Sequence, residues 1–197
     1  MRLIIGISGA SGAIYGIRLL EEIRGQSGIE THLIISDSAK INIQIETDYN
    51  VRQVEALADV VHAFHNTSAS IASGSFITGG MIVAPASMKS LSSIVHCHSD
   101  NLLSRAADVV LKEGRKLVLM PRESPLHAGH CKLLYGAAKM GIHIVPPMPA
   151  FYNRPETIAD IVGHSVSRVL DLFDIDTGIV KRWDGMDNVK HNCNNKF

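Results

Sequence analysis

A chain of 197 residues suits one domain around a single core. With 46% hydrophobic and 19% charged residues it has the composition of an ordinary soluble globular protein. Its 19 Lys+Arg balance 19 Asp+Glu, which excludes the basic footprint of a nucleic-acid binder.

The N-terminus runs from Met1 into a glycine-rich turn at once, too soon for the apolar core of a signal peptide. No run approaches the ~20 apolar residues of a membrane span. The cysteines, Cys97, Cys131 and Cys193, are odd in number and irregular in spacing, which argues for reduced thiols and against a disulfide framework. A cytoplasmic protein with no membrane or nucleic-acid partner is therefore expected.

In chain order, short apolar runs at Leu3–Ile7, His32–Ile35, Met81–Ala84, Leu117–Met120 and Ile142–Val145 are of strand length and do not alternate strictly. Such runs suit strands buried on both faces of a parallel sheet. Helical periodicity lies between and after them. Ala13–Arg24 places Ile14, Ile17 and Leu20 together. Leu102–Glu113 does the same with Leu103, Ala106, Ala107 and Val110, and Ile158–Phe173 with Ile161, Val162, Val169 and Phe173. Alternating strands and helices predict a doubly wound α/β domain. From Arg182 onward the pattern dissolves into an Asn-rich tail.

In an open parallel sheet, ligands bind beyond the carboxyl ends of the strands. The first run is followed by Ser8-Gly9-Ala10-Ser11-Gly12, the second by Ser36-Asp37-Ser38 and the third by Pro85-Ala86-Ser87-Met88-Lys89-Ser90. The fourth is followed by Pro121-Arg122-Glu123-Ser124-Pro125, and the fifth by a proline-rich stretch ending in Phe151-Tyr152. Hydroxyls with an arginine make an anion site. In the first turn Gly6, Gly9 and Gly12 let the backbone approach a ligand, and Ser11 is expected to cap the helix from Ala13. That helix N-terminus then offers amides and partial positive charge to a phosphate; the plainer alternative is a tight strand-to-helix turn. The pattern is neither G-x-G-x-x-G nor a P-loop, so a nicotinamide or ATP site is not supported. Asp37 as a ribose ligand is the weaker option.

Arg105 and Lys112 share a helical face, with Asp108 between them, which by itself reads as a solvated ion-paired surface. His96-Cys97-His98 and His127-x-x-His130-Cys131 match no common zinc spacing, so no metal is expected.

Taken together, Gly6-Ile-Ser-Gly-Ala-Ser-Gly-Ala-Ile-Tyr-Gly16, Glu46-Thr-Asp48, Arg105 to Glu113, Pro121-Arg-Glu-Ser-Pro125 and Pro149-Ala-Phe-Tyr152 closely resemble the UbiX/Pad flavin prenyltransferases. These sit within the homo-oligomeric flavin-containing cysteine decarboxylases, and members were long described as aromatic-acid decarboxylases. The resemblance spans about residues 2–184. It implies a single Rossmann-like flavoprotein domain over residues 1–184 and assembly into homododecamers, while the aperiodic composition of residues 185–197 reads as a mobile or oligomer-docking tail. The implied reaction joins dimethylallyl from dimethylallyl monophosphate to N5 and C6 of reduced FMN, without a metal. The prenylated FMN then serves a separate decarboxylase.

Position by position, the resemblance makes Gly9, Ala10, Ser11, Ser36, Ser87, Met88, Lys89, Ser90 and Arg122 the FMN contacts. It makes Tyr152 and Arg168 the holders of the dimethylallyl phosphate, with Lys112 and Glu123 completing that site. Arg105, Glu46 and Trp183 match further active-site positions. Glu46, Glu123 and the released phosphate are each candidates to take the C6 proton, and Trp183 is a candidate to face the allylic cation. Three other readings stand beside this one: an FMN-dependent phenolic-acid decarboxylase, a peptidyl-cysteine decarboxylase, and a non-catalytic FMN carrier. The second would want an active-site histidine, and His62 and His65 lie in the relevant stretch without the expected motif.

Overall fold

The computed structural model describes residues 1–179, so Trp183 and the 185–197 tail lie outside the described residues. Six strands form one parallel sheet: β1 (Arg2–Ile7), β2 (Glu30–Ile35), β3 (Val60–His62), β4 (Gly80–Ala86), β5 (Lys116–Pro121) and β6 (His143–Ile144). Their spatial order is β3-β2-β1-β4-β5-β6, and every neighbouring pair is parallel. This is the doubly wound, Rossmann-like topology expected. The chain order reverses across the sheet between β1 and β4, the point at which doubly wound sheets form a crevice beyond the carboxyl ends of their strands.

The helices are α1 (Ala13–Arg24), α2 (Asp37–Glu46), α3 (Val51–Glu55), α4 (Met88–Val95), α5 (Leu102–Lys112), α6 (Ala128–Lys139) and α7 (Ile158–Asp171), with a 3-10 turn at Ser70–Ala72. The strands alternate between two cores. Leu3, Ile5, Leu33, Ile82 and Val118 pack under α1 and α7, whereas Ile4, Ile34, Met81, Val83 and Leu119 pack against α4, α5 and α6. Burial on both faces explains why the central strands read as unbroken apolar runs. Among the described residues, no helix is long and apolar enough to cross a membrane.

The five apolar runs correspond to β1, β2, β4, β5 and β6. β3 carries no comparable signal: it is a three-residue edge strand, half-buried, with Val61 exposed. It pairs with β2 from His32↔Val60 to Ile34↔His62. The buried His32 bridges this edge: its Nδ1 lies 2.9 Å from His62 Nε2 and its Nε2 lies 3.0 Å from Glu30 Oε1. Burial, and secondarily the neighbouring His32, hold the His62 imidazolium below its usual pKa. His65 instead meets Asp37 at 2.8 Å on the surface.

Candidate active site

The crevice is built from the turns that follow β1, β2, β4 and β5. The turns after β1 and β4 are tied across the reversal point by Ser8. Its buried hydroxyl donates to the Pro85 carbonyl at 2.8 Å and accepts from the Ser87 amide at 2.7 Å. The Ala84–Pro85 peptide beside it is cis. Ser36 caps α2 by accepting from the Ala39 amide at 3.2 Å, and its own amide donates to Ile7 O at 3.0 Å, drawing the second turn against the first. Ser87 caps α4 by accepting from the Ser90 amide and donates to Ser90 Oγ at 3.1 Å. Two helix N-termini therefore face the crevice with serine caps, and both supply amides and partial positive charge.

The first turn differs from expectation in one respect. Ser11 is exposed and does not cap α1; the cap position is Gly12, with φ of 101° and no side-chain cap from its own turn. A side chain at this φ is strained, and glycine adopts it without cost. The amides that Ser11 leaves unserved are taken by Glu46, at the far end of α2. Glu46 Oε2 accepts from Gly12 N at 2.7 Å and from Ala13 N at 3.3 Å. A carboxylate at a helix N-terminus is favoured by the same amides that would hold a phosphate. Asn42, one turn earlier on α2, donates to Ala10 O at 3.0 Å and holds the turn from behind. Gly9 has no room for a side chain, since a Cβ there would lie 2.5 Å from Ser38 Cβ.

Gly9, Ala10, Ser11, Ser36, Ser87, Met88, Ser90 and Arg122 all lie around this crevice, with Lys89 exposed on the first turn of α4. The Arg122 amide donates to Ala86 O at 3.2 Å, which keeps the loop after β5 beside β4. Its guanidinium acts on Tyr15, in the first turn of α1: burial pushes the Tyr15 phenol up, and the Arg122 charge offsets part of that rise. Glu123 stands exposed beside it, accepting from the Ser124 amide at 3.1 Å.

The residues expected to hold the prenyl phosphate form two separate groups. Tyr152, in the loop after β6, lies 2.7 Å through its hydroxyl from His164 Nε2 on α7. Arg168 follows one helical turn later and pairs with Asp171 at 2.8 Å. Arg105 pairs with Asp108 at 2.9 Å and donates from Nε to Ala72 O at 3.3 Å. Lys112 lies further along the same segment, with its Nζ against Gly74. It pairs with Glu113 at 2.5 Å and holds that carboxyl below the usual range. The adjoining Arg115 donates to the Gly74 and Phe76 carbonyls, just ahead of β4. Gly80 pairs with Lys116 in the sheet, so this cluster sits at the amino ends of the strands. Within one chain, Lys112 is therefore on the opposite edge of the sheet from Arg122.

The histidine motifs have local roles. His127 caps α6 by accepting from Gly129 N at 3.0 Å. Among the described residues, no group of three or more His, Cys, Asp or Glu side chains is arranged to hold a metal ion. Asn42 and His164 join the site without any motif to mark them in the sequence, and Tyr15 joins it from within the Gly6–Gly16 motif, where nothing marks its role.

Residues 1–170 match the model of the Flavoprotein family. The chain is 54% identical to the flavin prenyltransferase UbiX of Escherichia coli K12 over 186 residues, covering 93% of this chain and 98% of that protein. Among solved structures, it superposes with a TM-score of 0.93 and 52% identity on a dodecameric FMN-dependent UbiX-like decarboxylase from Escherichia coli O157:H7, covering 94% of this chain and 100% of that one. It superposes with a TM-score of 0.92 and 46% identity on AnUbiX (PadA1) in complex with FMN and dimethylallyl pyrophosphate, covering 94% and 98%. With this sheet order, this crevice and identity above half along nearly its whole length, the chain belongs to the Flavoprotein family and, within it, to the UbiX flavin prenyltransferases.

Proposed function

We propose that this protein transfers the dimethylallyl group of dimethylallyl monophosphate to N5 and C6 of reduced FMN, with release of phosphate. The product is prenylated FMN for a separate decarboxylase. The observation that carries this reading is the crevice at the sheet's reversal point. Four turns converge there with a glycine that has no room for a side chain, serine-capped helix N-termini and one arginine. This donor set fits a flavin mononucleotide: amides and hydroxyls suit its phosphate and ribityl chain, and the narrow backbone turn at Gly9 suits a flat ring edge.

Bound reduced FMN supplies the nucleophilic nitrogen and the ring carbon that receive the prenyl group. The chain's own residues do the rest. Ser36, Ser87, Ser90 and Arg122 hold the cofactor against the strand ends. Arg168 and Tyr152 hold the phosphate of the second substrate, and their positive charge and donor hydrogen stabilise the phosphate as its bond to the allylic carbon breaks. Glu46 is the group we assign to take the C6 proton. The Gly12 and Ala13 amides orient its carboxylate beside the first turn of the crevice, and an ionised carboxylate can act as a general base. No metal is needed where fixed cations carry the phosphate charge.

Lys112 and Glu123 join one phosphate site only if subunits meet, because Lys112 stands at the other edge of the sheet. Exposed apolar side chains at Ile41, Ile45, Phe151 and Ile158 support a homo-oligomer, with a dodecamer the form we propose. The unpaired thiols Cys97 and Cys131 agree with a cytoplasmic location.

Anaerobic incubation with reduced FMN and dimethylallyl phosphate, followed by mass spectrometry of the flavin, tests the reading. The expected result is a flavin heavier by one prenyl unit. An unchanged flavin, or decarboxylation of an aromatic acid by the purified chain alone, overturns it.

A further inference from the structure

We infer that His164 is a positioning residue for prenyl transfer, which sets the direction in which the Tyr152 hydroxyl donates its proton. The inference rests on the reading above, in which Tyr152 contacts the phosphate of the dimethylallyl substrate.

The two side chains differ in how firmly they are held. Tyr152 is half exposed in the loop between β6 and α7. His164 is 7% exposed on the inner face of α7, between the buried Val162 and Val166. That helix is fixed at its start by a reciprocal cap between Thr157 and Asp160. The histidine is therefore the anchor and the tyrosine the arm. Their contact is short, 2.7 Å from Oη to Nε2, with the rings edge-on at 78°.

One hydrogen bond joins two groups that can each act as donor or acceptor. If the tyrosine donates to Nε2, its proton is turned inward and only oxygen lone pairs face a phosphate, which repels them. If Nε2–H donates to the tyrosine oxygen, the hydroxyl proton is turned outward to a phosphate oxygen. Each bond in that chain polarises the next and strengthens the donor. Burial, then the nearby Arg168 charge, hold the His164 imidazolium below its usual pKa, so the ring carries a single N–H to place. An anion beside Tyr152 selects the tautomer with that proton on Nε2. His164 thereby acts on the leaving phosphate without touching it.

The test is steady-state prenyl transfer with saturating reduced FMN and varied dimethylallyl phosphate, using His164→Leu, His164→Gln and His164→Asn alone and in a Tyr152→Phe background. Gln can present an N–H near the position of Nε2; Asn falls short of it, and Leu has none. We expect Leu and Asn to lower kcat/KM for dimethylallyl phosphate about tenfold, with FMN affinity unchanged and Gln near the parent value. In the Tyr152→Phe background all three should have no further effect. Equal losses for Gln and Asn, parent-level activity for Asn, or a loss that adds to that of Tyr152→Phe would overturn the inference. If His164→Leu does not fold, the contrast between Gln and Asn still decides. Tyr152→Phe separates the two levels: if it leaves kcat/KM unchanged, the placement of the substrate fails and the inference with it. If it lowers kcat/KM while the His164 variants do not, only the inference fails.

Discussion

The crevice at the strand ends and the phosphate-holding groups around α5 and α7 are built in opposite ways. Most parts of the crevice are local, although Ser8 and Glu46 tie its first turn to distant segments. A strand ends, a serine caps the next helix within four residues, and backbone amides face outward, as at Ser36 with Ala39 and Ser87 with Ser90. One chain supplies the whole set. The phosphate groups rest on long side chains from distant segments, and one chain leaves them apart: Tyr152 and Arg168 by α7, Arg105 against the 3-10 turn, and Lys112 at the amino edge of the sheet. Backbone dipoles are oriented by secondary structure alone, whereas side-chain charges converge only where tertiary and quaternary packing bring their carriers together.

The largest expected effect breaks the crevice. Gly9→Val places a branched side chain where a Cβ already lies 2.5 Å from Ser38 Cβ, so FMN binding should be lost while far-ultraviolet circular dichroism stays that of the parent. Retained FMN affinity would mean that the backbone turn is not the cofactor's seat. Next, Lys112→Ala and Arg122→Ala should each be nearly inactive alone. Mixed by refolding or co-expression, they should recover activity in about a quarter of sites if subunits assort at random. Failure to recover would place both residues in the same chain's site, against the geometry of the sheet edges.

Arg168→Ala sharpens the division from the other side. It removes a charge-assisted bond to phosphate, with an expected loss of ~1.5–3 kcal/mol, or about ten- to a hundredfold in kcat/KM for dimethylallyl phosphate. FMN titration should be unaffected. A loss of FMN binding instead would merge the two halves of the site.

The smallest effect concerns the sheet edge beside the crevice. The folded protein holds His62 below its ordinary value of 6.5, so the unfolded chain binds more protons as pH falls through that value. Stability should be full above about 6.5 and decline below it, and the thermal midpoint followed from pH 7 to 5 reads this. His62→Gln should flatten the slope. A midpoint that rises on acidification would contradict the assignment.

The sequence by itself determined the layered α/β plan, because strands buried on both faces must be apolar at consecutive positions. It also determined where the cofactor turns lie, because glycine and helix-capping serine act within a few residues of themselves. It did not announce β3, a three-residue half-buried edge strand whose hold on the sheet comes partly from the His32–His62 contact. Nor did it reveal that Glu46, from the far end of α2, takes the place expected of Ser11 at the start of α1. Asn42 and His164 entered the site for the same reason: each acts on a partner distant in sequence. Only tertiary structure decided that the helical face shared by Arg105 and Lys112 runs along the Ala72–Gly74 segment, with Lys112 toward the amino ends of the strands. Helical periodicity specifies which side of the helix a residue occupies, and the direction of α5 against the sheet specifies which edge it reaches.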